Sequence, residues 1–464
     1  MTLAQQTVSR IAGWLPESRW FADKSAALER IAVQESIPLS ATGLALTLLD
    51  VRTSGQGEAR YVAPIDLESA SDAAFSAGFA SWLIETVLGG HSIAGRQGRL
   101  VGHAIGKTSL AAGSAVAVRP LGGDASNSSM LVARDGLRLA VKLLRRCRPG
   151  VQPEVELGEF FARQTSWTGT PRLLGWLEYA DDDPATSSTA LAVIHAFAEG
   201  CVSGWDRLVE LVARSGLDGP DRPRILGIVA ALGRLTGEMH EALGSRPDIP
   251  AFAPAVVPRA DRLSASRRMQ DHARRVFVRA QASLPRLAKD VAERLDRVVS
   301  DQDGLLGSLA MLTALEEPGM AIRVHGDFHL GQVLVSADDQ GMLALDFEGE
   351  PGRPLDERRA KVAAAKDVAG MCRSLDYLLR HVARTTGGLW RADDLQLLET
   401  CYLDAYREIA ASACWWPADA ETAARLLAIY RLDKAIYELA YELDNRPDWV
   451  EVPLAALEQA CSRA

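Results

Sequence analysis

The stretch that most constrains this chain is Arg323–Glu350, RVHGDFHLGQVLVSADDQGMLALDFEGE. A tight polar turn carrying His325, Gly326, Asp327 and His329 leads into a short apolar run, Val333-Leu334-Val335. A turn of small and acidic residues follows, Ala337 to Gly341. A second apolar run, Met342 to Leu345, then stops abruptly at Asp346-Phe347-Glu348. Two apolar runs separated by such a turn read as a β-hairpin. The open ends of a hairpin lie on one side, so Asp327 and Asp346 should sit near each other, with Gln332 beside them. Two carboxylates converging beside an amide meet the needs of phosphoryl transfer. One carboxylate accepts the proton of an attacking hydroxyl; the other, with the amide oxygen, holds magnesium against nucleotide phosphates.

The upstream sequence supplies a nucleotide-binding pattern. Val116 to Pro120 and Met130 to Ala133 read as strands around a Gly/Ser-rich turn, Leu121 to Ser129. Asp135-Gly136 turns the chain into a third strand, Leu137 to Leu144, which carries Lys142 among apolar residues. Strand, loop, strand, turn and strand with lysine is the order of a kinase nucleotide lobe. Small loop residues let backbone N–H groups and hydroxyls approach phosphate, which assigns Ser126, Asn127, Ser128 and Ser129 to the phosphates. Lys142 would neutralise phosphate charge, and Glu156, on the helix 154–164, would orient the lysine. Taken singly, Lys142 reads equally well as an edge charge facing water, and the turn as an ordinary hairpin. The downstream hairpin gives both a nucleotide role. Strands at 173–179 and 190–197 lead into helical sequence, so the hinge between two lobes should fall near His195 to Glu199. His195 and Phe197 are its candidate nucleotide contacts.

A chain of 464 residues exceeds one ordinary core. The expected division is an N-terminal cap (1–110), a nucleotide-binding lobe of mixed strands and helix (111–200) and a mainly helical lobe with the hairpin and acceptor site (201–464). The cap reads as strands near residues 31–33, 44–51 and 61–65, a helix at 73–88, a strand at 100–104, and no catalytic chemistry. Beyond Trp205 the periodicity predicts helices at 225–243, 264–298 with a break at Pro285, 303–315, 364–385, 395–411 and 420–445. The net charge of -9 argues against nucleic acid as partner. The Arg-rich stretch 259–279 reads as a solvated helix face. No apolar run is long enough for a membrane span, the first residues lack a signal peptide's apolar core, and six cysteines show no paired or metal-like spacing. A reduced, cytoplasmic protein without membrane partner is expected, with a monomer favoured.

His325-Gly326-Asp327 with Gln332, followed by Asp346-Phe347-Glu348, resembles the H-G-D-x-x-x-x-N loop and metal-binding Asp of the aminoglycoside phosphotransferase-like kinases, within the protein-kinase-like superfamily. The longer strings at 324–334, 346–359 and 367–374 resemble bacterial maltokinases. So do Leu432 to Glu438, Asn445 to Trp449, and the opening Trp14-Leu15-Pro16 with Arg19-Trp20-Phe21. The resemblance spans the whole chain. It implies an α+β, bilobal protein-kinase-like fold with an N-terminal α+β cap, and transfer of the γ-phosphate of ATP, with Mg2+, to a hydroxyl of a small sugar. It makes Asp327 the catalytic base, Gln332, Asp346 and Glu348 the magnesium residues, and His325 a loop-orienting residue. It places the sugar among His329, Asp367, Arg373, Asp433, Lys434, Tyr437, Glu438, Tyr441 and Trp449. Two segments depart from the maltokinase pattern. Residues 124–129 read D-A-S-N-S-S where maltokinases have E-Q-S-N-T-S, and 360–366 lack the usual P-D-S-P-L-R. These departures and an acidic tail are similar to the actinobacterial glucosamine kinases. The acceptor stays open between glucosamine, giving glucosamine 6-phosphate, toward which the departures lean, and maltose, giving maltose 1-phosphate. An aminoglycoside-type kinase and an inactive kinase-like binding protein are more remote readings.

Overall fold

The computed structural model describes residues 3–21, 26–40, 42–55, 57–107, 115–122, 126–183 and 185–462. The chain divides into two compact units, Met1–Gln164 with Pro171–Glu199, and Thr165–Thr170 with Gly200–Ala464.

The first unit opens with helix α1 (Leu3–Trp14) and a meander of β1 (Leu28–Leu39), β2 (Leu44–Thr53) and β3 (Gly57–Asp66). β2 and β3 pair without a register break from Leu44↔Asp66 to Thr53↔Gly57. Alternate strand residues point to opposite faces, and here both faces are covered. Leu46, Leu48 and Val62 pack on one side; Leu49, Val51, Tyr61 and Ile65 pack on the other with Ile11, Leu15, Trp20 and Phe21. The aromatic opening thus seals the outer face, with Trp20 and Phe21 at 5.9 and 5.3 Å from Tyr61. Each such buried side chain stabilises by about 2 kcal/mol.

Helix α2 (Ala77–Leu88) leads to β4 (Ser92–Ala94), β5 (Gly98–Ala104), β6 (Ala117–Pro120), β7 (Ser128–Arg134), β8 (Leu137–Leu143), β9 (Arg146–Cys147), helix α3 (Pro153–Gln164), β10 (Leu173–Asp181) and β11 (Thr189–Ala196). Seven of these strands form one sheet in the order β4-β5-β10-β11-β8-β7-β6, while β9 joins the meander beside β3. A boundary near residue 110 therefore runs through a continuous sheet, because strands from both sides of it pair with one another. Arg145 fastens the two sheets. Its buried guanidinium meets Asp72 at 2.6 Å and the Ser128 hydroxyl at 2.8 Å, and lies 4.3 Å from the Trp20 ring.

The second unit contains β12 (Cys201–Ser203), α4 (Gly204–Ser215), α5 (Arg222–Leu243), α6 (Arg259–Ser283), α7 (Lys289–Ser300), α8 (Gln302–Ala310), β13 (Val333–Ser336), β14 (Met342–Ala344), α9 (Leu355–Arg358), α10 (Ala365–Thr386), α11 (Ala392–Ala410), α12 (Ala420–Asn445) and α13 (Glu451–Cys461). The long Arg-rich helical stretch breaks at a short 3-10 turn, Leu284–Arg286, which contains Pro285. The expected hairpin is present, with Val333↔Ala344, Leu334↔Leu343 and Val335↔Met342 opposite each other. β12 extends it to three strands through Val202↔Val335. At the hairpin tip Asp339 receives Arg207 of α4, at 2.7 Å, and Arg224 of α5. The hairpin is thereby held at its tip, leaving its open end to carry chemistry. Among the described residues no helix is long and apolar enough to cross a membrane.

Candidate active site

In the first unit, β8 places Lys142 directly opposite Ser129 of β7. Residues directly opposite in a ladder share a face, so Ser129 and Lys142 lie on one side of the sheet. Ser128 faces the other way. It is buried, and its hydroxyl accepts from Arg145, so it fastens the sheets instead of facing phosphate. Ser126 is exposed and Asn127 half-buried; Gly123, Asp124 and Ala125 of the same turn lie outside the described residues. The Lys142 ammonium sits 3.1 Å from Glu154, which also lies 4.0 Å from His195 Nδ1. The expected partner was Glu156. The helix begins at Pro153, and two residues along it turn a side chain by about 200°. Glu154 is thus the carboxylate aimed at the sheet, while Glu156 stands half-buried on another side. The Phe197 N–H donates to the Arg138 carbonyl at 3.0 Å, and the Arg138 guanidinium lies 5.2 Å from the Phe197 ring. That amide is therefore committed within the sheet rather than offered to a base.

The second unit builds the Asp327 loop from beneath. Asp367, in the first turn of α10, is completely buried, and one carboxylate oxygen accepts from the N–H of His325 and the other from that of Gly326, both at 2.8 Å. His240 of α5 approaches the first oxygen at 3.2 Å and Tyr406 of α11 at 3.1 Å. Burial alone would raise the Asp367 carboxyl. The hydrogen bond and charge of His240, with His325 and the Gly326 amide, outweigh it and hold the group below its ordinary range. Asp367 was expected at the sugar; with both oxygens committed and its side chain wholly buried, it positions the Asp327 loop instead. Two further contacts press α10 on that loop. Ser374 accepts from the Leu330 N–H at 3.1 Å, and a Cβ at Gly370 would stand 2.5 Å from the Phe328 carbonyl oxygen. Gly326 itself has φ +88°, a conformation that side chains rarely adopt.

His325 closes the two ends of the hairpin. Its ring packs between Phe328 and Phe347, at 5.0 and 4.8 Å. Its Nε2 lies 2.6 Å from the Leu345 carbonyl, and its Nδ1 accepts from the Asp327 N–H at 3.4 Å. Those partners put the proton on Nε2. On the far side Asp346 sits at φ +65°, unusual for a residue with a side chain and a mark of a constrained site. The Gln332 side-chain amide N–H donates to Asp346 at 3.0 Å, and the Gln332 main-chain carbonyl accepts from the Leu345 N–H at 2.8 Å. Gln332 and Asp346 are thus brought together as the hairpin requires. A carboxylate and an amide oxygen are hard donors of the kind magnesium takes, so the pair fits that ion. Glu348 lies 3.8 Å from Arg358.

Asp327 is met by Lys434 of α12, whose ammonium stands 2.9 Å from Oδ1. Burial would raise the Asp327 carboxyl, but Lys434, His329 and His325 outweigh it and keep the group ionised well below the usual carboxylate range. The same pairing, with Glu350, overrides the effect of burial on Lys434 and raises its pKa. Tyr437 lies one turn on, with Lys434 4.7 Å from its ring. His329 Nδ1 accepts from the Gly331 N–H at 3.0 Å, capping the one-turn helix Leu330–Gln332, and burial pushes its pKa down. Burial and the neighbouring Glu350 push the Asp433 carboxyl up.

The other expected sugar residues form a separate set along α10 and α12. Arg373 binds Glu438 through Nε and Nη2, at 2.9 and 2.8 Å, and Asp376 at 2.8 Å. Tyr377 donates to Glu442 at 3.1 Å. Tyr441 is exposed, beneath the Arg446 guanidinium. Trp449 stacks on His381 at 5.5 Å and on Tyr377 at 6.4 Å, beyond the end of α12, so it joins the Asp327 group only through intermediaries. Besides Glu154, two residues of the site were not singled out in the sequence. Glu350 is buried among Arg353, Lys366 at 3.7 Å and Lys434 at 3.9 Å, and its signal was the last acid of the D-F-E-G-E string. His240 had the weaker signal of a lone histidine on an apolar helix face.

A sheet carrying a lysine–glutamate pair, and a helical unit carrying a buttressed Asp loop, a hairpin and a second Asp, define a kinase-type phosphotransferase. Residues 117–350 match the model of the Phosphotransferase enzyme family, and residues 14–94 match the Maltokinase N-terminal cap domain. A glucosamine kinase of Streptacidiphilus jiangxiensis is 31% identical over 334 residues, 71% of this chain and 70% of the relative. A glucosamine kinase of Mycolicibacterium smegmatis is 27% identical over 345 residues, covering 73% of this chain and 78% of the relative. The solved structure of a glucosamine kinase in complex with glucosamine, ADP and inorganic phosphate superposes with a TM-score of 0.67 at 26% identity, over 97% of this chain and 98% of that one. The chain belongs to the phosphotransferase enzyme family, in the branch that bears a maltokinase-type N-terminal cap. It has the bilobal α+β protein-kinase-like fold and is an ATP-dependent phosphotransferase acting on a sugar hydroxyl.

Proposed function

We propose that the sugar is glucosamine, phosphorylated on its 6-hydroxyl to give glucosamine 6-phosphate. The observation that carries the chemistry is Asp327, ionised by Lys434 on a loop whose backbone Asp367 fixes. The observation that favours the amino sugar is the likeness to glucosamine kinases, over 71% and 73% of the chain in sequence and 97% in structure. Lys142, steadied by Glu154, meets nucleotide phosphate charge, and Ser126, Asn127 and Ser129 supply polar contacts near it. A bound magnesium ion supplies charge neutralisation at the phosphates; Asp346, the Gln332 amide oxygen and Glu348 are the residues that would hold it. Asp327 orients the attacking hydroxyl and takes its proton as the bond from that oxygen to the γ-phosphorus forms and the bond from the γ-phosphorus to the bridging oxygen breaks, ADP carrying that oxygen away. The transition state is loose, so a strongly acidic carboxyl suffices where positioning is good. Tyr437, beside Lys434, lines the acceptor side.

A second reading, maltose, is favoured by a different observation. Glu438 is already neutralised by Arg373, and Lys434 places a fixed cation beside Asp327, so these groups suit a neutral polyol at least as well as an ammonium. Initial rates with ATP and either sugar, followed by NMR location of the phosphate, separate the two. The proposal requires kcat/KM for glucosamine to exceed that for maltose at least tenfold. The reverse ratio would replace it with the second reading.

A further inference from the structure

Beyond the Asp327 site, the second unit contains a cavity of about 500 Å³ between the start of α7, the end of α10 and the start of α13. That volume suits a small polar metabolite. None of the residues lining it belongs to the catalytic loop, the hairpin or α12. Lys434, which touches Asp327, and the end of α12 at Asn445 are eleven residues apart, about 16 Å of helix, and the cavity begins beyond that end.

Its lining combines two features. Trp390 and Trp449 contribute flat aromatic surface, and Arg286, Arg380 and Arg384 contribute cations, against the acids Asp448 and Glu451. The arginines are not equivalent. Arg380 is committed: it binds Asp376 at 2.8 Å and lies 4.2 Å from the Trp390 ring. Arg384 is exposed and held by the Asp448 carbonyl, at 2.6 Å, and by the Trp449 face at 5.4 Å, not by a carboxylate. Arg286 is exposed, and among the described residues no carboxylate pairs with it. Both arginines line one cavity, and guanidinium groups are planar, multidentate donors of the kind a phosphate group takes. Aromatic faces beside them suit the apolar face of a sugar ring.

We propose that this cavity is a second ligand site, distinct from the Asp327 site, that takes a phosphorylated sugar. Arg286 and Arg384 bind the phosphate, and Trp390 packs against the ring. The product of the chain's own reaction belongs to this chemical class, so the site would report product accumulation.

The test is isothermal titration of the full chain with glucose 6-phosphate and glucosamine 6-phosphate, with inorganic phosphate as a third arm. Wild type, Arg286→Glu and Arg384→Ala are compared. The wild type should bind at least one sugar phosphate saturably and more tightly than inorganic phosphate. Each substitution should weaken that binding tenfold or more, while kcat and KM for the sugar acceptor stay within twofold. Both side chains are exposed, so thermal midpoints should not move. Failure of the wild type to bind a sugar phosphate overturns the proposal. So does binding that survives both substitutions, which would place the ligand in the Asp327 site. Neither outcome depends on whether glucosamine or maltose is the acceptor, because turnover on the two sugars is measured separately.

Discussion

Asp327 is enclosed enough that burial alone would favour its protonated form; Lys434 at 2.9 Å, with two histidines, reverses this. A carboxyl depressed in the fold contributes stability that is present above its unfolded pKa, about 3.9, and lost as pH falls through the folded value. Lys434 is raised, so its contribution is present below about 10.4 and lost as pH rises through the folded value. Between those limits both stay charged, and Asp327 gives no acid limb near neutrality. Replacing Lys434 by Met removes the charge and hydrogen bond that oppose burial, so the Asp327 pKa should rise. The acid limb of kcat/KM should then move to higher pH, and a pH profile with no such shift would contradict the role given to Lys434. At Asp346, an Asn substitution keeps the shape and removes the charge. The magnesium concentration for half-maximal rate should rise about tenfold or more, read by titrating the metal at fixed ATP. An unchanged requirement would move the metal elsewhere.

Helix α10 acts as the floor of the loop through Asp367, Gly370 and Ser374. Asp367→Ala would leave two loop N–H groups and His240 without their acceptor in a buried place. That should cost about 3 kcal/mol, seen as a lower denaturation midpoint, together with a collapse of kcat. Gly370→Ala forces a methyl against the Phe328 carbonyl, at a cost of about 1–3 kcal/mol. Its kcat should fall while nucleotide affinity holds, and a wild-type kcat would show that the floor does not set the loop. At this scale the sequence was legible where the signal was local. The hairpin was readable from two apolar runs and a turn, and the break at Pro285 from the ring's missing N–H. That Glu154 meets Lys142 was not legible, because the start of the helix fixes its phase and periodicity locates helix ends only to a few residues. Asp367 was read as a sugar contact because its partners, His325 and Gly326, lie some forty residues upstream. β12 is three residues long, too short for alternation to show.

Across the whole molecule, the kinase-like arrangement was legible because the Asp327 loop, hairpin, Ser-rich turn and Lys142 occur in order and each needs the others. The cap's limit was not. β4 and β5 precede residue 110 yet lie in the same sheet as β8, and β9 returns to pair with β3. Such non-local pairing has no signature in a run of residues. The central claim is that one loop carboxylate, Asp327, directs phosphoryl transfer from ATP to a sugar hydroxyl. The direct measurement is turnover of the full-length Asp327→Asn protein with ATP, magnesium and the preferred sugar, beside ADP affinity from the same preparation. The account predicts a rate loss on the order of a hundred- to ten-thousandfold, with ADP binding within about threefold of wild type. Turnover within a few-fold of wild type would contradict it.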